Sequence, residues 1–173
     1  MEAQGKDAID KGMKTLWFIW AAMLGSLLMY MFLCHQLGVG FKSTGDYNLP
    51  IGLLRMILAG MGVFALIMAY FLRRSMLTVR AGLPKARLVE RMVEWNAPPF
   101  MAKYATAVIV SLALAESIGI YGLVLFLLGG GFKTLYIFIV VSALAMVFYR
   151  PKKEEMEKLA MAYKKRDGAA PGM

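Results

Sequence analysis

Leu112-Ala113-Leu114-Ala115-Glu116-Ser117-Ile118-Gly119-Ile120-Tyr121-Gly122-Leu123-Val124 lies inside an apolar run from about residue 104 to 128. A run of that length crosses the roughly 30 Å hydrocarbon core of a bilayer as one helix. Glu116 falls near its middle, where an ionised acidic side chain costs about 2.5–3.5 kcal/mol on insertion scales. Such a carboxyl can take up a proton and become neutral, or it can face a cation or a polar cavity. Either response ties protonation or ion binding to the membrane interior, so Glu116 is the first functional candidate. The plainer alternative is a neutral glutamic acid bonded to a neighbouring helix as packing glue.

Ala115, Glu116, Ile120, Tyr121, Gly122, Leu123 and Val124 stand without a gap in the order Ala-Glu-x-x-x-Ile-Tyr-Gly-Leu-Val. Pro98 precedes the carboxylate by eighteen residues, and Lys103, Thr106 and Ala107 open the helix between them. This segment resembles the second helix of the proteolipid subunit c of rotary ATP synthases. The resemblance covers about 30 residues of 173, from 98 to 128. It implies a carboxylate that binds and releases an ion, with Ser117 and Tyr121 at the positions that help hold sodium in one branch of that family.

The family's loop carries Arg-Gln before its proline, where this chain has Asn96 and Ala97. Its first helix carries a long Gly-x-Gly-x-Gly series, where the preceding span here offers only Gly60 and Gly62, with Ala59 and Ala65. The sodium branch needs a glutamine on that helix, and the only glutamines here are Gln4 and Gln36. A proton is therefore the expected ligand. The carboxylate also sits on the third of four spans, so an ordinary rotor-ring subunit is not expected.

Outside this segment, composition defines the class. Hydrophobic residues make up 60% of the chain, with fifteen methionines and a mean hydropathy of +0.59, as in an integral membrane protein. The expected fold is all-α: a four-helix membrane bundle of two antiparallel hairpins. Its spans are placed at about 15–37, 50–72, 104–128 and 132–149, with a basic cytoplasmic helix and tail over 150–173. Trp17 and Trp20 open the first span as interfacial aromatics. That span is too long for a signal-peptide core and reads as a retained anchor. Gly25 and Ser26, at its mid-depth, allow another helix to approach closely. In the second and third spans Gly60, Gly62, Gly119 and Gly122 are the candidate packing residues. Gly129-Gly130-Gly131 reads as a connector tight enough to force an antiparallel hairpin.

Polar residues near the spans have modest readings. Arg55 is a snorkelling side chain by default; a water-linked role beside Glu116 is the sharper alternative, at a depth difference on the order of 10 Å. Ser142, near the middle of the fourth span, can bond Glu116 or its own helix. His35 is the lone histidine, at a span boundary, and Cys34 the lone cysteine, so no metal site and no intramolecular disulfide is expected. The basic segment 73–103 holds an amphipathic piece with Leu88, Met92 and Trp95 at helical spacing, expected to lie in the lipid interface. After Arg150 the chain reads as a solvated helix leaving the membrane, with Glu154 and Lys158 at supportive spacing.

Lysine and arginine number three before the first span, seven between the second and third, and seven after the fourth, against one in each opposite loop. The positive-inside rule thus puts both termini in the cytoplasm and the protein, multi-pass, in the inner (plasma) membrane. The net charge of +9 flanks the spans, which favours anionic lipid headgroups over nucleic acid as partner. No phosphate-binding glycine loop, no nucleophile beside a base and no metal-ligand cluster is present in the sequence, so neither an enzyme nor a cofactor is expected. The leading expectation is proton binding or translocation at Glu116, tuned by Ser117 and Tyr121, in a homo-oligomer or a subunit of a membrane complex. The rival is a structural or assembly subunit in which Glu116 is a neutral interhelical bond.

Overall fold

The computed structural model describes residues 2–40, 50–77 and 99–167. They form five helices: α1 (Glu2–Gly40), α2 (Ile51–Leu77), α3 (Pro99–Leu127), α4 (Gly131–Phe148) and α5 (Lys153–Asp167). The first four each hold a stretch long and apolar enough to cross a membrane: Ile9–Gly38, Ile51–Leu77, Phe100–Leu127 and Gly131–Phe148. Their outward faces carry large apolar side chains, among them Phe18, Phe64, Phe71, Leu144 and Phe148. In water these would be a liability; in lipid they are the solvated surface. The chain is a helical multi-pass membrane protein. The amphipathic piece 86–95, the outer loop 41–49 and the tail from residue 168 lie outside the described residues.

The carboxylate helix is the hub. α3 packs against α1, α2, α4 and α5, and its buried positions explain how. Met101, Tyr104, Ala105, Val108, Leu112, Ala115, Gly119 and Gly122 make one stripe at spacings of three and four, while Ala107, Ser111, Ile118 and Leu125 make a second. α2 presents a narrow buried stripe of Gly62, Ala65 and Ala69, ending in Arg73. Small residues let the two backbones approach closely where no hydrophobic drive separates helix from lipid.

α3 and α4 pack along one another across the Gly129-Gly130-Gly131 turn. α3 ends in a Schellman motif: the Gly130 N–H donates to the Leu125 carbonyl at 2.7 Å and the Gly129 N–H to that of Phe126 at 3.0 Å. That closure needs Gly129 in the left-handed region, at φ 92°. A Cβ on Gly130 would stand 2.6 Å from the Leu125 carbonyl oxygen. α1 and α2 each pack on α3 and form no comparable interface with one another, because the small-residue surfaces of α2 and α3 match each other.

Contacts at the helix ends fix the up-down order. Gly12 of α1 meets Met101 of α3, and Arg73 of α2 meets Tyr149 at the end of α4. At the opposite end Gly38 meets Phe132 at the start of α4. The starts of α1 and α3 therefore share one end of the bundle with the finishes of α2 and α4.

That end is closed by a polar lock. The Arg73 guanidinium donates to the carbonyls of Tyr149 (2.7 Å) and Arg150 (3.3 Å) and to Glu155 Oε2 (2.7 Å). It satisfies carbonyls that the α4 C-terminus leaves without intrahelical partners, and its charge suits the negative end of the helix dipole. The Tyr104 hydroxyl donates to the Lys152 carbonyl and accepts from the Lys152 N–H, both at 2.8 Å. The connection from α4 to α5 is thus held from two helices. α5 does not leave as a solvated helix. Met156 and Leu159 are buried, and Tyr163 packs its ring against Phe100. These three positions, at i, i+3 and i+7, form an apolar stripe within an otherwise charged segment.

Candidate functional site

Of eleven acidic residues, Glu116 alone lies deep within a span. Helix α3 carries it past the end of one α1 turn, and α1 supplies both of its hydrogen-bond donors. Ser26 Oγ lies 2.5 Å from Glu116 Oε1, and Tyr30 Oη donates to the same oxygen at 3.1 Å. Ser26 and Tyr30 are four residues apart, so they share one face of α1. Oε2 receives no hydrogen bond from the described residues. Ser26 Oγ also lies 2.7 Å from the Met23 carbonyl oxygen, one turn back on its own helix.

Depth explains the meeting. α1 and α3 run in the same direction, and Gly12 touches Met101 near their shared end. Ser26 is fourteen residues beyond Gly12, and Glu116 is fifteen beyond Met101. At 1.5 Å per residue those depths agree to about 2 Å. Gly119 eases the approach: a Cβ there would stand 2.5 Å from Leu27 Cδ2, so the glycine lets Leu27 of α1 settle on α3 one turn from the carboxylate.

No family model, curated protein or solved structure matches this chain. The site is therefore read from its own geometry.

The hydroxyls singled out in the sequence point elsewhere. Ser117 Oγ donates to the Leu114 carbonyl of its own helix at 2.8 Å. Tyr121 packs its ring with Leu54, Leu58 and Leu66 against the apolar cluster of Ile118, Leu125 and Phe138. Ser142 Oγ crosses from α4 to α3 but donates to the Ala115 carbonyl at 2.7 Å, not to the Glu116 side chain. It ties the backbone beside the carboxylate. Arg55 is exposed on α2. Of the four glycines, Gly62 sits against Ile118, Gly119 against Leu27 and Ser142, and Gly122 against Phe138, while Gly60 faces open space. Among the described residues no group of histidine, cysteine, aspartate and glutamate is arranged to hold a metal ion.

Ser26 and Tyr30 were the partners sequence reading missed. Ser26 stood out only as a small residue at mid-depth. The available signal was register: two hydroxyls at i and i+4, at the depth of Glu116 on a span running the same way.

The arrangement has clear chemical capacity. A carboxylate at mid-depth accepts two hydroxyl donors, and charge-assisted bonds of this kind are roughly twice as strong as neutral ones. A neutral carboxylic acid also finds a partner, since a serine hydroxyl accepts as well as donates. Both protonation states have hydrogen-bond partners in one unchanged packing.

Proposed function

We propose that this protein is a proton-binding membrane protein, similar in its carboxylate helix to the proteolipid subunit c, in which Glu116 gains and loses a proton at mid-membrane. The observation that carries this reading is the pairing of Glu116 Oε1 with the hydroxyls of Ser26 and Tyr30, with no cation paired to that carboxyl among the described residues. The local string around Glu116 supports it, as does the expected placement of both termini in the cytoplasm of an inner (plasma) membrane, with anionic lipid at the basic ends. Whether single or assembled as a homo-oligomer or with other membrane subunits, the chain would exchange protons through this one carboxyl.

A second reading is favoured by the same contacts. The two hydroxyls belong to α1, so the carboxyl also fastens α1 to α3, as a neutral interhelical bond in a structural or assembly subunit would. Intramembrane bonds of this kind contribute about 0.6 kcal/mol on average and rarely more than 2.

The experiment is labelling of the protein in membranes with a hydrophobic carbodiimide across pH, with Glu116→Gln as control. Labelling of the parent alone, falling as pH rises, supports proton exchange at Glu116. Labelling absent at every pH, with the Gln variant assembling normally, replaces that reading with the structural one.

A further inference from the structure

The Ser26 hydroxyl has one hydrogen and two acceptors within reach, Met23 O at 2.7 Å and Glu116 Oε1 at 2.5 Å. It cannot donate to both. If Glu116 is ionised, Ser26 donates to it and leaves the Met23 carbonyl to its helical partner. If Glu116 is protonated on Oε1, the acid donates to Ser26 Oγ, and Ser26 donates back to Met23. A proton placed on Oε2 instead would find no acceptor among the described residues, and an unmade bond in apolar surroundings disfavours that form by roughly ten- to a hundredfold in population. The Tyr30 hydroxyl donates to Glu116 Oε1 at 3.1 Å and has the Ser26 hydroxyl beside it.

We infer that Ser26 is a reversible positioning residue, whose hydroxyl turns between Glu116 and Met23 as the carboxyl loses and gains its proton, while Tyr30 selects the ionised form. The inference rests on the proton-binding reading of Glu116. Rotation of a hydroxyl about its C–O bond needs no helix movement, so α1 stays packed on α3 in both states. Among the described residues no other charged side chain lies at that depth. On α1, His35 lies nine residues outward of Ser26. On α2, Arg55, Tyr70, Arg73 and Arg74 lie toward the helix ends, as do Lys133, Tyr136 and Tyr149 around α4. On α3 itself, Tyr121 is packed in the apolar cluster.

The test compares the parent with Ser26→Ala, Ser26→Thr and Tyr30→Phe in lipid vesicles, using Glu116→Gln to assign signals. Two readouts are taken: the infrared carbonyl band of the protonated carboxyl, and carbodiimide labelling at one mildly alkaline pH. Ser26→Ala is expected to move the acid band to higher frequency, because the acid proton loses its acceptor. Ser26→Thr restores the band, and Tyr30→Phe leaves it nearly in place. Labelling rises about tenfold in Tyr30→Phe, since only the ionised form loses a strong bond. It changes less than about threefold in Ser26→Ala, where both forms lose a partner. An unmoved band in Ser26→Ala, or a labelling rise matching that of Tyr30→Phe, overturns the inference while leaving Glu116 a titrating group. A parent with neither an acid band nor pH-dependent labelling overturns the proton-binding reading, and the inference with it.

Discussion

Gly122 of α3 lies against the root of Phe138 on α4: a Cβ at residue 122 would stand 2.6 Å from the Phe138 Cβ and 3.4 Å from the Leu135 carbonyl oxygen. Neither atom can yield without moving the α4 backbone. At Gly119 the obstructing atom is instead Leu27 Cδ2, the far end of a flexible side chain, and Gly60 meets nothing within 4 Å. Alanine should therefore rank these positions. Gly122→Ala is expected to cost about 1–3 kcal/mol by overpacking, and Gly119→Ala less. Gly60→Ala should be neutral or stabilising by up to about 1 kcal/mol through helix propensity. Unfolding of the purified protein in mild detergent measures the order, and a Gly60→Ala cost equal to that of Gly122→Ala would contradict it.

The Tyr104 hydroxyl serves the Lys152 N–H and carbonyl at once, whereas the Tyr149 hydroxyl makes one bond, to the Leu66 carbonyl at 3.2 Å. Phenylalanine removes two bonds in the first case and one longer bond in the second. Tyr104→Phe is expected to destabilise by about 1–3 kcal/mol, because backbone groups of a partly buried connection lose their partner. Tyr149→Phe should cost less, since the Leu66 carbonyl keeps its helical bond. Thermal unfolding of the two variants side by side checks the difference.

The four spans and the singular position of Glu116 were legible in the sequence because both depend on local properties, length of apolar run and a lone charge within it. The glycine turn was legible for the same reason. Which helix faces which was not. A span that is apolar on every side carries no periodicity to mark its buried face, so the pairing of α1 and α2 with α3 could not be read from hydrophobic pattern. The donors to Glu116 were missed on that account, and Ser117 and Tyr121 were favoured because they lie near it in sequence and match ion-holding positions of the family that the segment resembles. Arg73 read as one of seven basic residues in a flanking segment; its burial depends on the α4 carbonyls that only the folded chain brings to it. The docking of α5 was hidden by the charges around Met156, Leu159 and Tyr163.

Among the described residues two ion pairs tie α5 to the bundle, one to Asp10 of α1 and one to Arg73 of α2, and their settings differ. Lys153 Nζ lies 2.7 Å from Asp10 Oδ1, with both side chains more than half exposed (55% and 54%). The Asp10 carboxylate, by hydrogen bond and by charge, raises the Lys153 ammonium above its usual 10.5. A group whose value is raised on folding contributes stability below its unfolded value and loses that contribution as pH rises through the raised one. The pair therefore acts fully at neutral pH and fades above about pH 10, where Lys153 loses its proton, and in acid, where Asp10 gains one. Exposure and salt screening keep it weak. Lys153→Ala is expected to leave the melting midpoint unchanged at physiological salt and to lower it slightly only at low ionic strength. A clear loss that persists in high salt would show a contact beyond this pair.

The Arg73–Glu155 pair should behave otherwise. Its side chains are 10% and 27% exposed, so salt reaches them poorly, and Arg73 also holds two carbonyls. Arg73→Met removes all of these bonds and leaves the end of α4 uncapped. A loss of about 3–5 kcal/mol is the scale for breaking a buried pair, and Glu155, able to turn toward water, brings the expected cost to the lower end of it. Glu155→Gln keeps an acceptor for the guanidinium and loses only the charge, so about 1–2 kcal/mol is expected. Because Glu155 and the Tyr149–Arg150 carbonyls sit where α4 passes into α5, the Arg73 variant should also release α5. Limited proteolysis in detergent reads this directly: cleavage within 153–167 should be fast in Arg73→Met, intermediate in Glu155→Gln and slow in the parent. High salt should leave that order unchanged, and equal cleavage of all three proteins would mean that α5 is held without Arg73, by contacts such as the packing of Met156 and Leu159.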